Sequence, residues 1–525
     1  MRRCMNSKNF NLILLKHNFF TKILNFSSVS SGQINSNDVP RIDEQWLNAK
    51  PFNKLPGPSK YVFPLTFLPG GSMHNKTLLD VHAFIRKKYG SISLLKGNFG
   101  QPDVVFTYNP EDFEKVYRTE GVWPMRIGLE TFQHYRLNKR PEVFKGIGGL
   151  VTEQGKPWHE IRTKVNPVLM KTQTVRHSLQ QIDEIATEFL NKIPQLRNPK
   201  TMEMPNNFFD EIKKWSFESI STIALNRRLD LIRSKNPDPK ALRLANAMQT
   251  FFQLSFEFDV LPSFWKYYET KKFKKLMSTF DEITLITTDY IERAILDFNT
   301  KSNEEAKSVL EKLLVLDKQI AFIMAMDMLM AGIDTTSSTL TTVLYNLAKN
   351  PSKQNKLREE IMKIFPEKDF QCTVQNTKNM PYLRACIKEG LRITPITPGN
   401  FRMTGQDLVL SGYQVPKGTG VIMGVMALSN EEKYFPKSHE FIPERWLKEE
   451  PFASAKKTSN PFVYLPFGFG PRTCIGKRIA EMELETLILK LIRNYKISWE
   501  QPDLKYTSNL IIIPVSPLKF KFEEI

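Results

Sequence analysis

The sequence predicts a mainly α-helical protein with small β sheets. Three observations predict it. Between about residues 77 and 350, segment after segment mixes apolar with charged or polar residues at helical intervals. Short apolar segments bounded by Gly and Pro occur near residue 100 and again after residue 401. With 41% hydrophobic and 25% charged residues over 525 positions, the chain can bury a large core and is neither disordered nor collagen-like.

Taken in order, Pro51, Pro56, Gly57 and Pro58 give a stiff, non-helical lead-in, because each proline fixes φ and lacks an N–H. Thr77–Lys88 reads as a helix. Ser91–Leu95 and Val104–Thr107 read as neighbouring strands, separated by Gly97, Gly100 and Pro102. Helical spacing then marks Glu111–Arg118, Trp158–Met170, Gln180–Lys192, Phe208–Ala224, Ala241–Phe256, Ile283–Phe298 and Glu304–Val315. Ile320–Ile333 is nearly all apolar, but Asp327 interrupts it and Asp334 follows, which predicts a buried core helix rather than a lipid-exposed span. That helix starts near Gln319 and ends at Pro351. Leu408–Leu410, Tyr413–Val415 and Gly420–Met423, set around Gly412, Pro416 and Gly418, predict small sheets. A last helix over about Gly476–Arg493 precedes strands and turns from Ser498 to Phe522.

The N-terminus differs in character. Residues 1–37 hold Arg2, Arg3, Lys8, Lys16 and Lys22 and no acid, and the apolar stretch Phe10–Phe20 is broken by Lys16 and His17. It is too short to span a bilayer, and its composition suits a mitochondrial presequence better than a secretory signal. The expected division is a presequence over 1–37, a Pro-rich lead-in over 38–58 and one folded domain over 59–525. The net charge of +19 favours acidic partners or anionic membrane surfaces. Nucleic acid is not expected as a partner, because no long Lys/Arg block or zinc-finger spacing occurs. Four cysteines, none in a CxxC pair, fit a reducing compartment. Seven scattered histidines give no zinc spacing.

The most informative segment is Pro461–Ala480, PFVYLPFGFGPRTCIGKRIA. Phe467, Gly470, Arg472, Cys474 and Gly476 form FxxGxRxCxG just before a helix. Gly468, Gly470 and Gly476 let the backbone approach a large planar cofactor. Cys474 can present a thiolate as an axial metal ligand, its charge softened by N–H groups at the helix start. Arg472 can pair with a haem propionate, and Phe467 would pack beside the thiolate and restrict water.

With these residues the sequence resembles a cytochrome P450 over about residues 50–520. The resemblance implies a triangular-prism fold, haem b (iron protoporphyrin IX) held by Cys474, and monooxygenase activity. Further motifs stand in the expected order. Glu389 and Arg392 form ExxR, and Arg445 lies in Pro443-Glu444-Arg445-Trp446; in the family these three pair in a buried network behind the haem. Ala331-Gly332-Ile333-Asp334-Thr335-Thr336 resembles AGxDTT, in which Gly332 leaves room over the iron while Asp334 and Thr335 supply protons. Trp158 and Arg162 match WxxxR, four apart and able to reach one haem edge. Arg402 occupies the place of another propionate-binding arginine.

The presequence and the basic pair Arg384 and Lys388, four apart on one helical face, resemble the mitochondrial branch. There such residues dock an acidic mitochondrial [2Fe–2S] ferredoxin that receives NADPH electrons from a ferredoxin reductase; Lys477 and Arg478 would extend the patch. Solvating charge is the rival reading of the pair. Phe251, Phe252, Phe256, Phe258, Leu261, Phe264 and Trp265, followed by Lys266, Lys271, Lys272 and Lys274, fit either a peripheral membrane contact or core packing. The implied location is the matrix side of the inner mitochondrial membrane. Texture around Gly121-Val122-Trp123-Pro124 and Trp215–Ile220 is similar to insect mitochondrial P450s of family 12. That likeness implies a lipophilic substrate in xenobiotic (insecticide) or hormone metabolism, with an ecdysteroid hydroxylase as the nearest alternative. A P450-fold isomerase or dehydratase, or a haem-binding sensor, are remoter alternatives.

Overall fold

The computed structural model describes residues 44–525 apart from 98–100, 235–236, 301–305, 449–459 and 516. The expected presequence over 1–37 lies outside the described residues, as do 38–43 of the lead-in. The chain divides into a unit ending at Asn48, of which the short helix Glu44–Asn48 is described, and a large unit from Ala49 to Ile525.

Its centre is the helix Lys318–Lys349. Asp317 caps it by accepting from the N–H groups of Gln319 and Ile320, and Asn350-Pro351 stops it. By length and composition it could cross a membrane, but 78% of its most apolar stretch is buried inside the protein. Asp327, the residue that interrupts the apolar run, is paired at 2.7 Å with the fully buried Arg136. Phe208–Leu225, Pro381–Ile393 and Lys477–Asn494 pack on the central helix, Leu179–Leu196 packs on the first and last of these, and their apolar faces share one hydrophobic core with its own.

The predicted helix Thr77–Lys88 is observed as Leu78–Tyr89, started by a capping box between Thr77 and Asp80 and ended at Gly90, φ +88°. Where spacing marked Ile283–Phe298, one 30-residue helix runs Lys271–Thr300. Lysines at 271, 272, 274 and 275 obscure the period of its first turns, although Phe273 and Leu276 are buried there. Glu304–Val315 begins later, at Val309, because Ser308 and Glu311 form a second capping box.

Among the described residues, ten short strands complete the unit: β1 Ile92–Leu95, β2 Val104–Thr107, β3 Asn400–Met403, β4 Leu408–Leu410, β5 Tyr413–Val415, β6 Gly420–Met423, β7 Tyr495–Ser498, β8 Tyr506–Ser508, β9 Ile512–Pro514 and β10 Lys521–Glu524. The main sheet has the order β1-β2-β6-β3, antiparallel except for β2 with β6, where Val105 opposes Val421. The other strands form the pairs β4-β5, β7-β10 and β8-β9. A second core lies against the main sheet and includes Val105, Phe106, Phe113, Val421 and Met423. The lead-in runs along β1: Leu94 donates to Pro56 O, and a Cβ at Gly57 would come within 1.9 Å of Leu94 O.

The aromatic stretch 251–265 is divided. Phe251, Phe256 and Phe258 are buried, so the membrane reading is corrected for them: Phe251 lies on the inner face of the helix Pro239–Ser255, and the turn Phe256–Val260 keeps the other two rings inside. Phe264 is exposed, with Tyr267 and Tyr268 beside it in sequence.

Candidate active site

Cys474 ends a tight loop and stands just before the helix Lys477–Asn494. Its N–H donates to Phe467 O at 2.9 Å, and the Thr473 hydroxyl donates to the same oxygen at 3.1 Å. Gly468 and Gly470 take left-handed torsions of +72° and +74°. At Gly470 a Cβ would also fall 2.3 Å from Glu120 Oε1. Gly476 departs from expectation: its φ is −82°, and a Cβ would sit 3.9 Å from the Cys474 sulphur, an ordinary contact. What Gly476 gives is its N–H, which points at the sulphur together with that of Lys477. The Cys474 side chain remains accessible, but surrounding protein pushes its thiol pKa up. Those two N–H groups and the Arg162 and Arg126 charges act in the opposite direction and favour the thiolate.

Four arginines from four separate segments gather at this loop. Arg162 donates to Thr473 O at 2.9 Å, while its Nε has no partner. Arg472 lies 4.1 Å over the Trp158 ring and donates to Pro124 O, Glu153 O and Gln154 Oε1, leaving Nη1 unpartnered. Trp158, 1% exposed, thus serves as a platform for Arg472. Arg402, carried on β3, pairs with Glu120 and donates to Phe469 O. Arg126 completes the group, its backbone clamped on both sides by the Gln154 amide. Burial and mutual repulsion lower Arg126 to about 10 and Arg472 to about 8. Glu120, which pairs with Arg402, is a carboxylate that acts on Arg472 as well.

The central helix presents a narrow window. From Ile323 to Leu344 every side chain is buried except at Ala331, Gly332 and Thr335. Ala331 and Thr335 are four apart on one face, and the Thr335 hydroxyl donates to Ala331 O at 2.7 Å. Asp334 turns away from that face and pairs with Lys213 of the helix Phe208–Leu225 at 3.0 Å. Gly332 also departs from expectation. Its missing Cβ would lie 2.7 Å from Ile220 Cγ1, so glycine there lets the two helices approach. Ser216 reinforces the approach by donating to Gly332 O and Ile333 O.

Glu389, Arg392 and Arg445 meet with almost no exposure. Arg392 grips Glu389 with two bonds of 2.9 and 3.0 Å, and Arg445 Nε donates to Glu389 at 3.1 Å. The Trp446 indole and the Ile442 N–H fill the remaining lone pairs of the carboxylate. Arg392 also holds Ser429 O and Glu440 O, and Arg445 holds Lys437 O. Two guanidinium groups therefore fasten the segment from Ser429 to Trp446 to the helix Pro381–Ile393.

A family profile described as Cytochrome P450 matches residues 56–522. The chain belongs to the cytochrome P450 family. It is 56% identical over 491 residues to the probable cytochrome P450 12b2, mitochondrial, of Drosophila melanogaster, covering 92% of each chain. Identity to cytochrome P450 12b1, mitochondrial, of Drosophila acanthoptera is 55% over 481 residues, 90% of each. Cytochrome P450 CYP12A2 of Musca domestica is 46% identical over 506 residues, 94% of each. The protein is a P450 monooxygenase of the mitochondrial family 12 type.

P450 enzymes bind haem b through a cysteine thiolate. The residues of this P450 fit that group. A thiol backed by two N–H groups suits an axial ligand, and buried arginines with unpartnered nitrogens suit two propionates. Arg126 is the member of this set that sequence reasoning missed; a lone arginine in a loop carries no spacing signal. Lys213 was missed because a single lysine on the helix Phe208–Leu225 carries no motif. Arg384 and Lys388 do share a face, but Arg384 is half-buried and bonded to Glu485 and to the carbonyls of Thr377 and Lys378. Lys388 and Arg478 are exposed, and Lys477 lies over the Phe467 ring. Glu481 and Glu485, between these cations, carried no motif.

Proposed function

We propose that this P450 oxidises lipophilic small molecules, foreign compounds such as insecticides or hormones, with NADPH electrons relayed by a ferredoxin reductase and a [2Fe–2S] ferredoxin. The observation that carries the reading is the window at Ala331 and Thr335, set in an otherwise buried and largely apolar helix. A small apolar residue beside one hydroxyl suits a lipophilic substrate and a proton donor together.

Cys474 would hold the haem iron, and Arg126, Arg162, Arg402 and Arg472 its propionates, with Trp158 and Phe467 as packing neighbours. When bound, the haem supplies reductive activation of dioxygen, so that one atom enters the substrate and the other leaves as water. Thr335 would pass a proton from its hydroxyl at the window, and Asp334, on the preceding position but paired with Lys213, would have to leave that pair to replenish it. The Glu389 network keeps the segment behind the cysteine loop in place, and the backbone of Gly468 and Gly470 gives the loop its shape. Lys388, Arg384, Lys477 and Arg478 would receive the acidic ferredoxin by electrostatic attraction. Exposed Phe264, Tyr267 and Tyr268, beside Lys266 and Lys271, support peripheral contact with the matrix face of the inner membrane. Residues 1–37 would direct import.

The test is turnover by the purified haem-loaded protein with mitochondrial ferredoxin, its reductase and NADPH. Lipophilic xenobiotics should be oxidised in a ferredoxin- and oxygen-dependent way. Efficient, site-specific hydroxylation of ecdysteroid precursors, with xenobiotics untouched, would replace this reading by hormone synthesis. Cys474→Ala should abolish the thiolate-type spectrum of the reduced carbon monoxide complex.

A further inference from the structure

The basic face beside the cysteine loop carries its own acids. Arg384 donates from Nε to Glu485 Oε1 at 2.8 Å and from Nη2 to Oε2 at 3.4 Å. Its other bonds fix the guanidinium on the carbonyls of Lys378 and Thr377, at 2.8 and 2.9 Å. One turn earlier on the same helix, Glu481 lies 4.0 Å from Lys477 and feels the charges of Lys388 and Arg478. A groove of about 230 Å³ opens at this point, and its walls include Arg176, Lys378, Arg384, Arg478, Glu481 and Glu485.

Three features make Glu485 more than a solvated surface charge. The pair with Arg384 is partly withdrawn from water, with side-chain exposures of 32% and 16%. An arginine fork matches one carboxylate in two-point geometry, so a second carboxylate must compete for it. And Glu481 and Glu485, four apart on one helical face, repel each other, which raises the Glu481 carboxyl after burial has done so.

We propose that Glu485, assisted by Glu481, is a built-in competitor for the acidic redox partner. A carboxylate of the partner enters the groove and displaces Glu485 from Arg384, and the competition limits the lifetime of the complex. This rests on the ferredoxin-docking reading given above and adds to it a residue that sets partner affinity. A [2Fe–2S] carrier delivers one electron per visit, so the same face must bind, release and bind again within one turnover. Exposed cations at a distance speed each encounter, whereas an internal anion at the point of contact acts on dissociation.

The experiment uses the full-length haem-loaded protein and a purified acidic mitochondrial [2Fe–2S] ferredoxin, with Kd and dissociation rate measured at low and at high salt. Glu485→Gln should tighten binding at least about threefold at low salt, through slower dissociation, with the difference vanishing as salt screens the charges. Lys388→Glu, measured alongside, should weaken it. Glu485→Gln with unchanged or weaker binding, while Lys388→Glu still weakens it, overturns the competitor role and leaves the docking reading standing. Lys388→Glu without effect removes the docking reading itself, and this inference with it. If Glu485→Gln does not load haem, the more exposed Glu481→Gln is judged by the same criterion.

Discussion

Asp334 and Lys213 form a 3.0 Å ion pair that joins the central helix to the helix Phe208–Leu225, with Asp334 buried and Lys213 mostly so. The acid of the AGxDTT segment thus points about a quarter of a turn away from the Ala331–Thr335 window, toward Lys213. Lys213→Met leaves a carboxylate buried without its cation and should destabilise the fold by about 2 kcal/mol, below the usual cost for fully buried pairs because Lys213 keeps some solvent. Adding Asp334→Asn should recover part of that loss, which a double-mutant cycle of denaturant midpoints reads directly. Asp334→Asn alone should cut turnover by about tenfold or more with the haem spectrum intact, as expected for a member of the proton relay.

Arg126 should govern haem retention. Its charge lies within reach of Cys474, Arg162, Arg402 and Arg472, and burial already lowers it to about 10. Arg126→Ala should speed haem loss to apomyoglobin by roughly one to two orders of magnitude, the size expected for a lost charge-assisted bond of about 1.5–3 kcal/mol. Equal rates of loss would remove it from the propionate set.

Glu389 accepts from two arginines, one indole and one backbone N–H, all buried. Glu389→Ala strands both guanidinium groups, a cost of about 3–5 kcal/mol. The variant should accumulate little haem-loaded protein. Glu389→Gln, which keeps acceptor geometry but loses the charge, should lie between it and the wild type in the haem-to-protein ratio.

Glu483 supplies a pH signature. It is buried below the central helix, and burial raises its carboxyl to about 8 despite a 3.3 Å bond from Thr336. Unfolding returns it to an ordinary carboxyl near about 4.3. Between those values the unfolded chain holds fewer protons than the native one, so stability falls as pH rises. The contribution is fully present below about pH 4 and lost by about pH 8, on the order of a few kcal/mol. Glu483→Gln should flatten this slope in denaturant midpoints between pH 5 and 8 and exceed wild-type stability at pH 8. A slope as steep as wild type would mean that other groups carry it.

The boundaries and site show what kind of information a chain carries locally. Val104–Thr107, Leu408–Leu410, Tyr413–Val415 and Gly420–Met423 are legible because turn residues bracket a short apolar run. The start of Lys271–Thr300 is not, since lysines dominate its first turn and tertiary packing decides which face is buried. Likewise, β3 is hidden because Asn400–Met403 has no alternating pattern and becomes a strand by pairing with β6.

The sequence by itself determined the mainly helical class, the cysteine loop, the ExxR–PERW pairing partners and the family resemblance. The first two depend on residues close in the chain, where spacing fixes geometry, whereas the pairing of Glu389 with Arg445, 56 positions apart, followed from the resemblance. Tertiary structure alone decided that Gly332 faces Ile220, that Asp334 belongs to Lys213, that Arg126 joins the arginine cluster and that Glu485 occupies Arg384. Those relationships link positions that are distant along the chain or on different elements. Charges and close contacts act through space, and only the folded packing sets which of them meet.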